Sequence, residues 1–330
     1  YHLASVVDDY DFEITHVIRA EEHLSNTPRQ IFIAQSLGYA LPEYAHLPYV
    51  AEPGSKNKLS KRKLDKYLKN RDFAQIYEHG QAIATALGLT TSADTFNPVI
   101  VDFYEQVGYL PEAILNYLVL LGWSLDDKTE FLSVREMIDN FSLERVTKSP
   151  ASFDPKKLWA FEDHYLVKLP LDEKVAGMLP YLQRAGLVAD PAAEADRAKL
   201  TTIVAAAGDR LKVFGDILAY ADFFFRDEVV FDPKAFEKQL RSPRGVELLT
   251  KFRDALSALD DFSVAGLERT LGEFVAGQGI KTGDIIHVVR VATTGKSVGP
   301  GLYDCLAILG KPAVIARIDR ALEQAAAPPA

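Results

Sequence analysis

The sequence predicts an α/β unit at the start of the chain and an all-α region after it. Residues 14–19 alternate and are rich in β-branched residues, which favours a strand. Thr27-Pro28 is a typical helix start and Gly38 a typical helix end, so strand, loop and helix follow in order. From about residue 72 onward, apolar residues recur at helical spacing almost without interruption. In a chain of 330 residues, these observations predict an α/β part and an all-α part in separate domains.

Composition and charge limit the class of protein. With 48% hydrophobic and 25% charged residues, and no apolar stretch near the ~20 residues of a membrane helix, we expect a soluble protein with no membrane partner. Cys305 is the single cysteine and cannot form an internal disulfide, so the expected location is the cytoplasm. The net charge of -9 argues against general nucleic-acid binding but leaves room for a local basic patch.

The first candidate site lies at the end of the α/β part. Arg19, Glu21, Glu22 and His23 follow the predicted strand, and in open α/β sheets the ligand crevice lies at the carboxyl ends of the strands. These positions therefore place charged side chains where a small molecule would bind. A charged, exposed loop is the alternative interpretation.

The second candidate site is a basic segment. Residues 56–71 carry eight basic residues and one acid, Asp65. A turn, Pro53-Gly54-Ser55, precedes the sequence KLSKR at residues 58–62, which we call the KLSKR loop. Two lysines three residues apart, with a hydroxyl between them, can bring ammonium groups to a polyphosphate. The loop lacks the second glycine and the Gly-Lys-Ser/Thr ending of a Walker loop. A solvated basic helix face is the alternative.

Caps and apolar stripes define the helices of the remaining chain. Residues 110–121 show helical spacing and end at Gly122. Residues 133–136 form a capping box, and Asp154-Pro155 and Asp232-Pro233 are further helix starts. Stripes over residues 203–218, 246–256 and 267–274 indicate helices that pack on one another and form a core.

Two reaction classes lack the residues they need. The seven histidines form no pair at metal-ligand spacing on one helix, and Cys305 has no partner cysteine. We therefore expect no metal site and no bound zinc built by this chain. The sequence contains no Gly-x-Ser-x-Gly elbow, and Cys305 lies in an apolar helical stretch, so covalent hydrolysis is disfavoured.

Four ordered blocks of this sequence resemble bacterial glutamyl-tRNA synthetases. They are YHLASVVDD and ITHVIRAEEHL in residues 1–24, HLP and KLSKR in residues 46–62, GYLPEAILNYLVLLGW and FSLERVTKSPASF in residues 108–153, and VVRVATTGKSVGPGLYDCLAILG within residues 280–310. KLSKR resembles the KMSKS loop of class I synthetases. The resemblance covers most of the chain, and its helical second half resembles the glutamyl type rather than the glutaminyl type, whose anticodon part is a β-barrel.

This resemblance implies a three-part architecture. Residues 1–63 are expected to form the C-terminal part of a class I Rossmann catalytic domain, residues 64–165 a helical stem-contact region, and residues 166–330 an α-helical anticodon-binding domain. Residues 64–107 separate KLSKRK from GYLPEA by more than in familiar members, and their periodic apolar residues predict a helical insertion. No HIGH-type element is present, so we expect the N-terminal half of the catalytic domain to be missing.

The resemblance also implies a reaction. The expected function is a glutamate-tRNA ligase that uses ATP with Mg²⁺ to attach L-glutamate to tRNA(Glu) through glutamyl-adenylate, in a monomer. The implied roles are catalysis by Lys58, Ser60 and Lys61, ATP binding by Lys61, Glu22 and His23, and glutamate binding by Tyr1, Ser5 and Arg19.

Departures from the family pattern keep an alternative open. Ser5 stands where the family commonly has asparagine, and Ala20 replaces the usual glycine after the arginine. We expect residues 1–330 alone to be inactive in catalysis. The alternative is a catalytically inactive tRNA-binding protein derived from a glutamyl-tRNA synthetase. A glutamyl transferase that modifies a tRNA base is disfavoured, because such paralogues lack the long helical second half.

Overall fold

The computed structural model describes residues 1–327, which divide into two compact units. The first unit holds Tyr1–Thr85 and Leu89–Lys168. The second unit holds Ala86–Gly88 and the residues from Leu169 onward. The three functional regions implied by the resemblance stay predictions, since a division by contacts does not test a division by function.

The first unit begins with the α/β part that the sequence predicts. Its elements are α1 (His2–Asp11), β1 (His16–Ala20), a 3-10 helix (Glu21–Asn26), α2 (Thr27–Leu37) and β2 (Glu43–Leu47). The two strands pair in parallel, because the chain returns through α2 before it enters β2. Gly38 ends α2 in the left-handed region at φ 73°, where glycine carries no steric cost. The first strand begins and ends slightly later than predicted.

Helices complete the first unit. They are α3 (Leu64–Tyr67), α4 (Arg71–Ala86), α5 (Val101–Val107), α6 (Pro111–Val119), α7 (Val134–Asn140) and α8 (Pro155–Lys168). The first three occupy the segment 64–107, where α4 approaches α5 closely at Gly80: a Cβ there would lie 2.5 Å from the Phe103 ring. The predicted capping box of α7 is present, with the Ser133 hydroxyl accepting from the Glu136 N–H.

The second unit is all-α, as predicted. Its helices are α9 (Leu171–Arg184), α10 (Glu194–Ala207), α11 (Ile217–Ala221), α12 (Pro233–Leu240), α13 (Pro243–Ala258), α14 (Val264–Gln278), α15 (Thr282–Thr294), α16 (Leu302–Leu309) and α17 (Lys311–Ala326). The predicted stripes form its core: Leu249, Phe252 and Leu271 are buried against residues of α15 and α17. Asp232 caps α12 by accepting from the Ala235 N–H. Among the helices of residues 1–327, none has the length and apolar content to cross a membrane.

Candidate active site

The carboxyl ends of β1 and β2 meet at one edge of the sheet, because the strands are parallel and Ala20 lies opposite Leu47. A cleft of about 370 Å³ opens at this edge. The residues that line it come from the carboxyl ends of β1 and β2 and from a loop later in the chain. They include Glu21, Leu24, His46, Leu47, Pro48, Thr147 and Lys148. A larger cavity lies at the opposite strand ends, around Thr15, His16 and Glu43. The residues predicted to act in catalysis, ATP binding and glutamate binding line neither of these two cavities. The cleft at the predicted edge is nevertheless the place where residues of three sequence blocks meet, those around Glu21, His46 and Thr147.

Arg19 lies near the carboxyl end of β1, in a cluster of polar side chains. Its Nη2 donates to Thr27 Oγ1 at 2.8 Å and to Gln30 Oε1 at 2.7 Å, and both partners are buried. The guanidinium lies 5.7 Å from the centroid of the Tyr44 ring, which its charge favours. Within residues 1–327, the buried Arg19 Nε has no hydrogen-bond acceptor. A carboxylate ligand would complete this arrangement, because buried donors are ordinarily paired.

His46 lies beside Arg19, opposite it in the strand register. Its Nε2 is 3.0 Å from Thr27 Oγ1. Partial burial lowers the pKa of His46 below its usual range, and the charges of Arg19 and His23 lower it further. The imidazole is therefore neutral at pH 7, and it does not add a second positive charge next to the guanidinium.

Three of the predicted site residues come together. The Lys58 ammonium donates to the Glu22 carboxylate, although the two residues are 36 positions apart. His23 Nε2 lies 3.6 Å from the other Glu22 oxygen, and His23 Nδ1 lies 3.2 Å from Asn26 Nδ2. The hydrogen bond from Lys58 lowers the pKa of Glu22. This ion pair connects the KLSKR loop to the end of β1, whereas the assignment of these residues to ATP stays a prediction.

The KLSKR loop follows a tight backbone turn. Ala51 and Lys58 form an antiparallel bridge, and the Glu52 N–H donates to Asn57 O at 2.7 Å. A short 3-10 helix, Lys61–Lys63, begins within the loop. The Lys61 side chain is exposed, and no carboxylate within residues 1–327 pairs with its ammonium. Lys61 is thus free to meet a ligand, whereas Lys58 is already paired.

The other two predicted glutamate ligands lie at the N-terminal end of α1. Tyr1 is the N-cap residue and is 77% exposed. Ser5 lies one turn later, where its N–H donates to Tyr1 O at 3.0 Å. Across the described residues, neither side chain hydrogen-bonds to Arg19 or to the KLSKR loop. The structure therefore links Glu22, His23 and Lys58, while Tyr1 and Ser5 stay apart from that group.

A buried acid outside the basic segment, which its sequence pattern does not reveal, pairs with two lysines of that segment. Glu52 is 1% exposed, and its carboxylate accepts from Lys63 at 2.7 Å and from Lys66. The Tyr67 hydroxyl also donates to Glu52, at 3.3 Å. Nothing in the pattern around Glu52 marks it as buried. The eight basic residues are consequently not one uniform surface, because two of them bind an internal carboxylate.

Glu52 gives a prediction for pH dependence. Hydrogen bonds from Lys63 and Lys66 lower its pKa from 4.5 to about 2. A lowered pKa in the folded state contributes stability above the unfolded value of 4.5, and this stability is lost as the pH falls from 4.5 toward 2. We therefore expect Glu52→Gln to destabilise the first unit at pH 7, and the difference from the unaltered chain to shrink as the pH falls from 4.5 toward 2.

Urea denaturation at a series of pH values measures this difference. Trp123 and Trp159, the only tryptophans of the sequence, both lie in the first unit, so their fluorescence reports on that unit. An equal difference between the two chains at pH 7 and at pH 3 would contradict the assigned role of the Glu52 charge.

Within residues 1–327, no group of three or more histidine, cysteine, aspartate or glutamate side chains is placed to hold a metal ion. Cys305, the lone cysteine, is buried in α16, and burial raises the pKa of its thiol to about 12. The thiol is therefore protonated and a poor nucleophile at pH 7.

Known proteins resemble this chain over nearly its whole length. The family profile described as "tRNA synthetases class I (E and Q), catalytic domain" matches residues 1–95 and 94–160. The profile described as "Anticodon binding domain" matches residues 173–322. The first profile therefore includes the KLSKR loop and Arg19, and the second lies within the all-α unit.

Individual relatives agree with the profiles. The glutamate-tRNA ligase of Moorella thermoacetica is 39% identical over 97% of this chain and 59% of its own length. The glutamate-tRNA ligase of Desulforudis audaxviator is 38% identical over 98% of this chain and 58% of its own length. A crystal structure of a glutamate tRNA ligase from Elizabethkingia meningosepticum, in complex with its amino acid, superposes with a TM-score of 0.72 at 29% identity, covering 98% of this chain and 60% of that one. The chain thus spans about 60% of the length of the relatives it matches.

Proposed function

The chain belongs to the glutamate-tRNA ligase family of class I aminoacyl-tRNA synthetases, and we propose that it takes part in attaching L-glutamate to tRNA(Glu) through glutamyl-adenylate. The observation that carries the proposal is the position of the KLSKR loop. Its Lys58 reaches Glu22 at the carboxyl end of β1, so loop and strand end form one site. Ligands of open α/β sheets bind at this end.

ATP is the proposed nucleotide substrate, with Mg²⁺ as part of the substrate complex. Lys61 is the proposed group that neutralises charge on the departing pyrophosphate, because its ammonium is exposed and unpaired within the described residues. Lys58 takes the same role once its ion pair with Glu22 is broken. The Ser60 hydroxyl donates a hydrogen bond to the phosphates nearby. Glu22 and His23 are the proposed contacts to ATP, since they adjoin Lys58.

Glutamate is the proposed amino-acid substrate. Arg19 is the proposed partner of a glutamate carboxylate, which the unpaired and buried Nε supports. Tyr1 and Ser5 are proposed as further contacts from α1. The Ser5 side chain is shorter than the asparagine common in the family, so its hydroxyl reaches less far toward a bound glutamate than the amide would.

The proposed macromolecular partner is tRNA(Glu). The match of residues 173–322 to an anticodon-binding domain supports contact with the anticodon by the second unit. We propose that the protein acts as a monomer in the cytoplasm, because the family expectation is a monomer and the single buried cysteine needs no oxidising compartment.

Aminoacylation by the full-length gene product tests the proposed function. We expect transfer of radiolabelled glutamate to transcribed glutamate tRNA, dependent on ATP and Mg²⁺. Glutamine tRNA, assayed in parallel, shows whether the charging is restricted to one tRNA. If the purified product charges neither tRNA and forms no adenylate, the proposed function is wrong.

Binding of tRNA is a separate expected result for residues 1–330. The regions that we propose to contact the stem and the anticodon carry a set of basic residues: Lys148, Lys156, Lys157, Arg241, Arg244, Lys281, Arg290 and Lys296. Despite the net charge of -9, we expect affinity that falls with salt concentration, because phosphate contacts release counterions. We also expect a preference for the cognate anticodon, since single-stranded bases are read by stacking and edge hydrogen bonds.

Fluorescence titrations with glutamate tRNA, an anticodon-swapped copy and an unrelated tRNA at several salt concentrations measure both effects. A salt dependence without preference among the three RNAs would reduce the second unit to a nonspecific RNA surface. No binding at low salt would contradict the proposed partner.

A further inference from the structure

Three buried polar side chains lie behind the KLSKR loop, and none of them belongs to the motif. Glu52, Tyr67 and Asn97 are 1%, 3% and 0% exposed. A buried polar group costs free energy unless it is hydrogen-bonded, so its partners show which part of the chain it holds.

Two of these side chains bind the backbone of the loop. The Ser60 N–H donates to the Tyr67 hydroxyl at 2.9 Å, and Asn97 Nδ2 donates to Lys61 O at 3.0 Å. Exposed loops ordinarily leave such backbone groups to water. Here the backbone is fixed on both sides of the peptide bond between Ser60 and Lys61.

Glu52 orients the Tyr67 hydroxyl and pairs with two lysine ammonium groups near the loop. Its carboxylate accepts from the Tyr67 hydroxyl and from the ammonium groups of Lys63 and Lys66. The hydroxyl is therefore oriented by a buried charge. Because Lys63 and Lys66 pair with Glu52, the nearby basic side chains that have no carboxylate partner within residues 1–327 are Lys61, which adjoins Ser60, and Arg62.

Asn97 is itself rigidly held. Its Nδ2 donates a second hydrogen bond to Ala93 O at 3.1 Å, and its Oδ1 accepts from the Val99 N–H at 3.0 Å. These bonds fix the amide within the segment 64–107, between the KLSKR loop and the GYLPEA block. The segment therefore supplies a fixed donor to a loop 36 positions earlier in the chain.

We propose that Asn97, Tyr67 and Glu52 are positioning residues. They hold the backbone of Ser60 and Lys61 so that the Lys61 ammonium already lies where the departing pyrophosphate will need it. This inference rests on the proposed function and assigns the segment 64–107 a part in adenylate formation. The Lys61 ammonium lies at the end of a four-carbon side chain, so a small rotation of the backbone displaces the ammonium by more than it displaces the backbone atoms. A misplacement of about 1 Å in such a group lowers a rate by about a hundredfold.

Hydrogen exchange on residues 1–330 tests the contact without any need for activity. We expect the amides of Leu59 and Ser60, which donate to Val50 O and to the Tyr67 hydroxyl, to exchange at least about tenfold faster in both Asn97→Ala and Tyr67→Phe than in the unaltered chain. Tyr67→Phe keeps the ring in its packing, so it remains informative if Asn97→Ala fails to fold. Unchanged exchange in the folded variants would overturn the proposal.

Asn116→Ala is the matched control. Asn116 is also 0% exposed, and both polar atoms of its side-chain amide bind backbone groups. Its Nδ2 donates to Glu130 O and its Oδ1 accepts from the Leu132 N–H, each at 3.0 Å. Its bonds do not reach the KLSKR loop. We expect it to destabilise the first unit but to leave exchange at Leu59 and Ser60 unchanged. Faster loop exchange in this control would mean that general loosening explains the result.

Kinetics of the full-length gene product connect the contact to catalysis. Asn97→Ala is expected to lower the kcat of ATP–pyrophosphate exchange at least about tenfold, with the KM for glutamate within about twofold of its original value. In a Lys61→Ala background, Asn97→Ala is expected to have no further effect, because it acts through Lys61. Additive effects would overturn the proposal. If the unaltered protein makes no adenylate, the proposed function fails, whereas hydrogen exchange still decides whether Asn97 holds the loop.

Discussion

Lys61→Ala in the full-length gene product is expected to lower the rate of glutamyl-adenylate formation about a hundredfold, with much less effect on glutamate binding. An ammonium that meets charge developing on pyrophosphate acts in the transition state, and loss of such a donor costs ~3 kcal/mol. In the structure the Lys61 ammonium has no carboxylate partner within residues 1–327, so the substitution breaks no ion pair. ATP–pyrophosphate exchange over a range of glutamate concentrations separates kcat from KM.

Two neighbouring substitutions serve as comparisons. Lys63→Ala is expected to affect adenylate formation much less, because Lys63 donates to the buried Glu52. It also removes one partner of that carboxylate, so a loss of stability accompanies it. Arg62→Ala is therefore the cleaner control, since Arg62 is exposed and directly follows Lys61. Equal losses of rate from Lys61→Ala and Arg62→Ala would indicate a general basic surface.

Residues 1–330 on their own are expected to show no ATP–pyrophosphate exchange, even with glutamate and tRNA supplied. The described residues contain one sheet of two strands, and large apolar side chains around it are exposed: Phe12 is 77%, Phe32 68% and Leu24 59% exposed. Such surfaces ordinarily pack against further structure. The glutamate-tRNA ligases that match the chain are also longer than it is.

This expectation is checked with the same preparation used for tRNA binding. Bound tRNA and the native fluorescence of Trp123 and Trp159 then show that the second and first units are folded, so a missing exchange signal reflects an incomplete ATP site. Robust exchange by residues 1–330 would contradict the assignment of the KLSKR loop and Arg19 as only part of that site.

Local patterns predicted the elements that local physics controls. Thr27-Pro28 and Gly38 bound α2 as predicted, because proline fits the first helical turn and glycine tolerates a left-handed end. The capping box at residues 133–136 likewise depends on residues close in sequence. The apolar stripes of the second unit became its core, since a helix buries the face on which its apolar residues recur. By contrast, β2 is five residues long and carries no strong alternation, so no strand was predicted there.

The sequence by itself determined the order of an α/β part and an all-α part, the helix ends, and the blocks that identify the family. Only the tertiary structure decided which charges pair. It joined Lys58 to Glu22 and brought Asn97 to Lys61. It also paired two lysines of the basic segment, Lys63 and Lys66, with the buried Glu52. Helix caps and stripes are encoded within a few residues, whereas these contacts link positions far apart along the chain. Their partners follow from burial and chain path, which residue spacing does not reveal.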